Sequence, residues 1–382
     1  MYIKFIREDV IEGLQKSSGI IPAKTGAAFL RTIWLEAKED KLKIRATDSN
    51  IEFTGNYPAI VGEEGLVGVQ GKTFADLIRK LKPGEISLRL KENILIVEQG
   101  KRRYRLPTSD PSWFQNFENF PNENKVLWSG DILKEIIQKI SFCISDDDTM
   151  EGMTCMSFKA VSNDHIEICG LNGHQFALLK FKNEDIHRIL PEDGFLISKK
   201  FLTELKKWLS EDEIEISLSN KRLFFRTQEN KEIFSFPLSV YNFPDYHELL
   251  NKYEDHFNSV LEINKDDLIE SLDRLMIFNS ETSSTYFKLN ENELLLYVEG
   301  TDIGEAYESL PCNYKGTIKN IVLLTKDVID ILNHFDSKIV KFHFSGQTEP
   351  CKITGDEDYS YMVITMPVEI EEEVYYTEEE VE

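Results

Sequence analysis

The run GLVGVQGKT at residues 65–73 ends in Gly-Lys-Thr at an expected helix start, which brings together the residue types of a phosphate-binding loop. Such a loop needs Gly-x-x-x-x-Gly-Lys-Thr, because its backbone N–H groups must wrap the phosphates at a fixed spacing. Position 66 is Leu66, and Gly65 comes one residue too early. The same slot recurs as LISKKF and VLLTKDV, so the run reads as an ordinary strand-to-helix junction. A second candidate for chemistry is His174, with Asp146, Asp147 and Asp148 as ligands of a hydrolytic metal. Adjacent carboxylates point in different directions, and no His-x-x-x-His or Gly-x-Ser-x-Gly accompanies them. The triplet reads as a solvated loop.

His174 itself sits in HIEICGLNGHQFALLKF, residues 165–181, where two strands of alternating apolar residues flank a Leu-Asn-Gly-His-Gln bend. Either catalysis or a binding groove would put a glycine and a histidine there. The same strand, bend, strand pattern occurs in KIRATDSNIEFTGNY and LLLYVEGTDIGEAYE, with Thr47-Asp48 and Thr301-Asp302 in place of Leu171-Asn172. An amphipathic helix precedes each copy: REDVIEGLQK, SGDILKEIIQKI and NKDDLIESLDRLM. Asp9, Asp131 and Asp267 stand at their starts, where a carboxylate favours a helix N-terminus. A second helix follows each copy, as GKTFADLIRKL, SKKFLTELKKWL and TKDVIDILNHF, and alternating strands follow that, with Glu-Asn or Ser-Asn at expected hairpin turns. The chain therefore reads as a triplication.

Composition agrees with several domains of one soluble protein. A chain of 382 residues and 44.3 kDa exceeds one ordinary core. Apolar runs fall far short of the roughly 20 residues of a membrane span, and the N-terminus lacks a signal peptide's pattern, so no membrane partner and a cytoplasmic location are expected. The five cysteines, Cys143, Cys155, Cys169, Cys312 and Cys351, form no CxxC pair and read as small buried apolar residues. Neither a metal nor a cofactor is expected. A net charge of −23 argues against nucleic acid unless a local basic surface exists. Eight of the carboxylates lie in the closing EIEEEVYYTEEEVE, which reads as a solvated tail.

In this order the residues resemble the bacterial sliding clamp, the beta subunit of the replicative DNA polymerase III. The resemblance rests on the triplication, FPDY at 243–246, the Gly173-His174 bend and Met366-Pro367. It implies an α+β fold of three tandem clamp repeats, each with two helices packed on antiparallel sheets, closing into a ring as a head-to-tail homodimer. The implied domains are 1–125, 126–252 and 253–370, with an acidic tail at 371–382. The implied function is a non-enzymatic processivity factor that encircles duplex DNA without reading sequence. Its partners are DNA polymerase, the clamp loader and other clamp-motif proteins. A ring holds DNA by topology and needs only a loose phosphate attraction. Lys72, Arg79, Lys80 and Lys82 on one second helix, and Lys199, Lys200, Lys206 and Lys207 on another, supply it, with Lys24 in a loop. The third repeat is acidic and offers Lys326 alone in its second helix.

The resemblance also implies a partner-peptide cleft of Met150, Leu171, Gly173, His174, Phe176, Pro244, Leu249, Ile364, Met366, Pro367 and Val368. Leu171, Phe176, Leu249, Ile364 and Met366 are expected to form an exposed apolar patch. Tyr104 is expected to meet Ile277 and Phe278 of another subunit. Departures from the family pattern are Leu171, Asn172 and Gln175 around the bend, Glu248 after FPDY, and the acidic tail. The competing readings are a non-DNA scaffold of the same fold and a nucleotide-binding enzyme using residues 71–73.

Overall fold

The computed structural model describes residues 1–22, 27–162, 164–210, 212–219, 221–278, 283–300 and 304–369. Lys24, Thr301-Asp302, Asn220 of one expected hairpin turn and the tail at 371–382 lie outside them. Eight α-helices occur among the described residues: α1 (Arg7–Ile20), α2 (Gly71–Lys80), α3 (Gly130–Ser141), α4 (Glu184–Ile189), α5 (Lys199–Trp208), α6 (Tyr246–Tyr253), α7 (Lys265–Leu275) and α8 (Thr325–Leu332). Six of them continue a strand without a loop. Tyr2–Ile6 runs into α1 and Gly65–Gln70 into α2; Val126–Ser129 runs into α3 and Phe195–Ser198 into α5; Ser259–Asn264 runs into α7 and Asn320–Leu324 into α8. Two such junctions thus fall in each of the three sequence copies.

The junctions follow from side-chain periodicity. In the first, Ile3 and Phe5 are buried at strand spacing, and then Val10 and Leu14 are buried at helical spacing. At two of the junctions a side chain closes the helix start, and at α7 the Asn264 amide oxygen accepts from the N–H groups of Asp266 and Asp267. Gln70 does the same for α2, accepting from the Thr73 N–H at 2.6 Å. The Gly-Lys-Thr stretch is therefore a capped helix start. The short helices α4 and α6 add to the expected two per repeat, and both are capped, by Asn183 and Asp245.

The chain divides into two compact units, Met1–Ile137 with Asn183–Val240, and Gln138–Lys182 with Tyr241–Glu382, so the middle copy is shared between them. In the first unit one sheet runs Ile60–Glu63, Tyr2–Ile6, Glu85–Lys91, Ile94–Gln99, Arg102–Pro107. A second sheet of eight strands joins the first two copies where Glu232–Pro237 pairs antiparallel with Glu52–Pro58. Helix α1 packs on both α2 and α5. In the second unit the larger sheet joins the middle and third copies where Gln175–Lys182 pairs antiparallel with Tyr361–Thr365. A four-stranded sheet runs Gly304–Pro311, Glu293–Gly300, Ser284–Asn290, Asn320–Leu324, and α7 packs on α8.

Four cysteines are buried as expected. Cys312 is the exception and is only half-buried, because it follows the end of the edge strand Gly304–Pro311.

Candidate functional site

The central feature of the second unit is the bend between His165–Leu171 and Gln175–Lys182. Gly173 sits at φ +92°, a left-handed conformation that a residue with a Cβ rarely adopts, so the turn requires glycine. Asn172 closes the turn: its Oδ1 accepts the N–H of His174 at 3.0 Å and of Gln175 at 2.8 Å. Asp48 plays the same part in the first copy, accepting from Asn50 at 3.0 Å and Ile51 at 2.8 Å. His174 therefore does not hold the bend through its side chain, which is exposed. Its carbonyl accepts the Met366 N–H at 3.1 Å, tying the bend to the end of the strand Tyr361–Thr365. The Val368 N–H in turn donates to the Val322 carbonyl at 2.9 Å.

Strand register brings three of the expected cleft residues, Leu171, Phe176 and Ile364, together. Phe176 faces Leu171 on one neighbouring strand and Ile364 on the other. These join Cys169, Leu178 and Tyr246 in one apolar cluster, with Phe243 and Leu250 at its edge. Phe176 is 4% exposed and Ile364 5%, which corrects the expectation that both form an open patch. The physical reason is Tyr246, whose ring centroid lies 5.3 Å from that of Phe176 and roofs it over. Pro367 is buried as well. What remains open to solvent is Met150, Leu249 and Met366, each about 40% exposed. Leu171, Pro244 and Val368 are half-buried.

Tyr246 is held from below by chemistry that sequence reasoning missed. Its hydroxyl donates to Glu167 Oε2 at 2.7 Å, and Lys180 Nζ lies 3.0 Å from the other oxygen of that buried carboxylate. Burial pushes the Cys169 thiol up to about 12, so Cys169 is packing rather than a nucleophile. The strand alternation of Glu167 was legible, but its burial was not. Asp147, in the acidic triplet, caps a turn by accepting from Thr149 at 2.9 Å. No metal-holding group of His, Cys, Asp or Glu occurs among the described residues.

In the first unit, α2 buries Phe74, Ala75 and Ile78, and α5 buries Phe201, Leu202, Leu205 and Trp208. Arg79, Lys80 and Lys82 are exposed and Lys72 is half-buried; Lys200 and Lys207 are exposed, with Lys199 and Lys206 half-buried. Local carboxylates offset part of this charge. Arg79 pairs with Asp76 at 2.7 Å, Lys207 with Glu204 at 2.7 Å and Lys200 with Asp48 at 2.8 Å. Burial opposes the charge on Asp48, but the Lys200 hydrogen bond and the N–H groups of Ile51 and Asn50 outweigh it and hold the carboxyl below its ordinary value.

Tyr104 packs half-buried on the first unit's core, on the edge strand Arg102–Pro107. In the second unit Ile277 is 69% exposed just beyond α7, and Phe278 is half-buried.

Three family models match the chain in succession: the N-terminal domain of the DNA polymerase III beta subunit at residues 1–122, its central domain at 128–245 and its C-terminal domain at 255–369. A beta sliding clamp of Haemophilus influenzae is 22% identical over 377 residues, covering 97% of this chain and 100% of the relative. One of Staphylococcus epidermidis is 25% identical over 376 residues, covering 95% and 97%. Among solved structures, the DNA polymerase sliding clamp of Bacillus subtilis superposes with a TM-score of 0.89 at 20% identity, covering 97% of this chain and 100% of that one. A sliding clamp of Pseudomonas aeruginosa bound to griselimycin gives 0.87 at 20% identity, with the same coverage.

Proposed function

This chain belongs to the DNA polymerase III beta-subunit family, and from that premise we infer that it is a DNA sliding clamp. It encircles duplex DNA and tethers the replicative polymerase and other clamp-motif partners to it. The observation that carries this is the succession of three family models along nearly the whole chain, in step with three pairs of strand-to-helix junctions. The work is mechanical. A processivity factor needs a closed path around DNA, a surface that does not grip one register, and a socket for its clients; any polymerase activity belongs to a partner.

Each need has a candidate here. For the inner surface we assign Lys72, Arg79, Lys80, Lys82, Lys199, Lys200, Lys206 and Lys207, with Lys24 added from sequence alone. Partial neutralisation by Asp76, Glu204 and Asp48 suits sliding, since weak, uniform phosphate attraction leaves the low barriers that translocation needs. For the socket we assign the groove floored by Phe176 and Ile364 and rimmed by Met150, Leu249 and Met366. Burying a leucine or phenylalanine of a client there is worth roughly 1.5–3 kcal/mol per side chain.

For closure we assign the joint of Tyr104 with Ile277 and Phe278 of a second copy. The edge strand Arg102–Pro107 carries Arg102, Arg103 and Arg105, and the edge strand Gly304–Pro311 carries Glu305 and Glu308. Unpaired edges of opposite charge suit mutual pairing, and two identical joints leave no free edge. The domain limits that fit are 1–125, 126–252 and 253–370, with the acidic residues 371–382 as an appended tail. No helix among the described residues is long and apolar enough to cross a membrane. Replication in the cytoplasm is the setting this function implies.

Sizing the protein in solution tests the reading. A particle of twice the 44.3 kDa chain is expected, and a stable monomer at micromolar concentration would contradict ring closure.

A further inference from the structure

The bend at residues 172–175, the start of α8 and the segment 366–368 meet at one end of the groove. The hydrogen bonds from Met366 to the His174 carbonyl and from Val368 to the Val322 carbonyl fix that meeting, since Val322 lies on the strand that runs into α8. At this end stands Asp327, in the first turn of α8 and half-buried. Its carboxylate lies near the Gln175 side chain and within electrostatic reach of His174. Burial and the neighbouring charge of Asp330 push its carboxyl above the ordinary range, outweighing His174, Gln175 and Lys326. A carboxylate so placed is stabilised by any cation brought beside it.

The rim carries the same sign. Exposed Glu151 follows Met150, exposed Glu248 precedes Leu249 and exposed Glu369 follows Val368; against them stand Lys326 in α8, exposed Lys252 in α6 and half-buried Lys352 opposite Ile364, all away from Asp327's contact with the bend except Lys326. A client segment with its own carboxylates would meet repulsion from several directions, and a basic one attraction.

We propose that the groove selects peptides whose leucine-phenylalanine pair is flanked by lysine or arginine, and that Asp327 is the residue that reads the cation. The proposal rests on the peptide-socket reading above and adds the chemistry of the preferred client. Apolar burial supplies affinity, and the acidic end of the groove supplies choice among clients.

The test uses the full-length protein and three fluorescein-labelled hexapeptides that share a Leu-Phe pair and differ in one flanking residue, lysine, glutamine or glutamate. In low salt the lysine peptide is expected to bind about fivefold more tightly than the glutamate peptide, as a partly screened ion pair allows, and the ratio falls as salt rises. In Asp327→Asn, which keeps the side chain's shape, the ratio drops toward one. Equal binding of lysine and glutamate peptides to the unaltered protein overturns the preference but leaves the socket standing. An undiminished ratio in a folded Asp327→Asn protein overturns the role of Asp327. Failure of all three peptides to bind overturns the socket reading, and the preference falls with it.

Discussion

Lys139 Nζ lies 2.8 Å from Asp358 Oδ1, joining α3 of the middle copy to the turn before the last strand of the third. The pair is shielded, with Lys139 12% and Asp358 1% exposed at the side chain. Asp358 Oδ2 also accepts from the N–H and hydroxyl of Ser337, at 2.9 and 2.6 Å. The Tyr361 hydroxyl donates to the Lys139 carbonyl at 2.7 Å. Two sequence copies are thereby bonded together by polar groups as well as by a shared sheet. In the first unit, Lys16 and the buried Glu232 do the same at 2.9 Å, with the Tyr57 hydroxyl on the other oxygen at 2.9 Å.

Lys139→Ala leaves Asp358 buried and short of its cation. The expected cost is about 2–3 kcal/mol, below that of an isolated buried charge because Ser337 still donates. Urea unfolding measures it, and a change within error would mean the pair contributes nothing net.

The pair also predicts a pH dependence. Burial works against ionisation of Asp358, but the hydrogen bonds from Lys139 and Ser337 outweigh it and hold the carboxyl below its ordinary value. A depressed carboxyl contributes stability that is present above its unfolded value, near pH ~4, and lost as pH falls through the folded value. Lys139 is shifted the other way: burial opposes its charge, and Asp336 and Asp358 outweigh that. Its contribution is full below the unfolded lysine value and fades only in strong alkali. Stability should therefore fall as pH drops below the ordinary carboxylate range, through the depressed folded value, and Asp358→Asn should flatten that fall in acid-unfolding curves.

Two glycines of α1 should respond oppositely to alanine. A Cβ on Gly13 would lie 1.6 Å from the Tyr57 hydroxyl, whereas one on Gly19 meets nothing within 4 Å. Gly13→Ala is expected to cost about 1–3 kcal/mol by overpacking, and Gly19→Ala to gain about 0.5–1 kcal/mol from helix propensity. Thermal melts of the two variants compare them directly.

These cases show where sequence was informative. The strand-to-helix junctions were visible because apolar spacing changes from two to near four at Ile6 and at Gln70. Helix α6 was not, because YHELLNKY is too short for periodicity to declare itself and its cap, Asp245, lay inside a motif read for family likeness. The bend at Gly173 was located, but Asn172 was read only as a departure from the family pattern, whereas its side chain closes the turn. Phe176 was placed in the groove by family resemblance alone, and its burial under Tyr246 depends on a contact between distant segments that spacing does not show. Asp327 escaped notice for the same reason: nothing local ties it to Gln175.

Closure of the ring predicts that replacing Ile277 and Phe278 by aspartate gives folded monomers. Ile277 is exposed and Phe278 only half-buried beyond the end of α7, so circular dichroism should show a folded protein while the carboxylates stand in an apolar joint. Sedimentation at low micromolar concentration reads the outcome. A persistent dimer would place the joint elsewhere.

The most direct measurement is retention on DNA as a function of DNA topology. Protein loaded by a clamp loader onto a nicked circular plasmid is separated by gel filtration before and after the plasmid is cut once. A sliding ring stays with the circle in high salt and runs off the linear product, because topology rather than affinity holds it. Equal retention on circular and linear DNA, or loss from both at the same salt, would contradict the account.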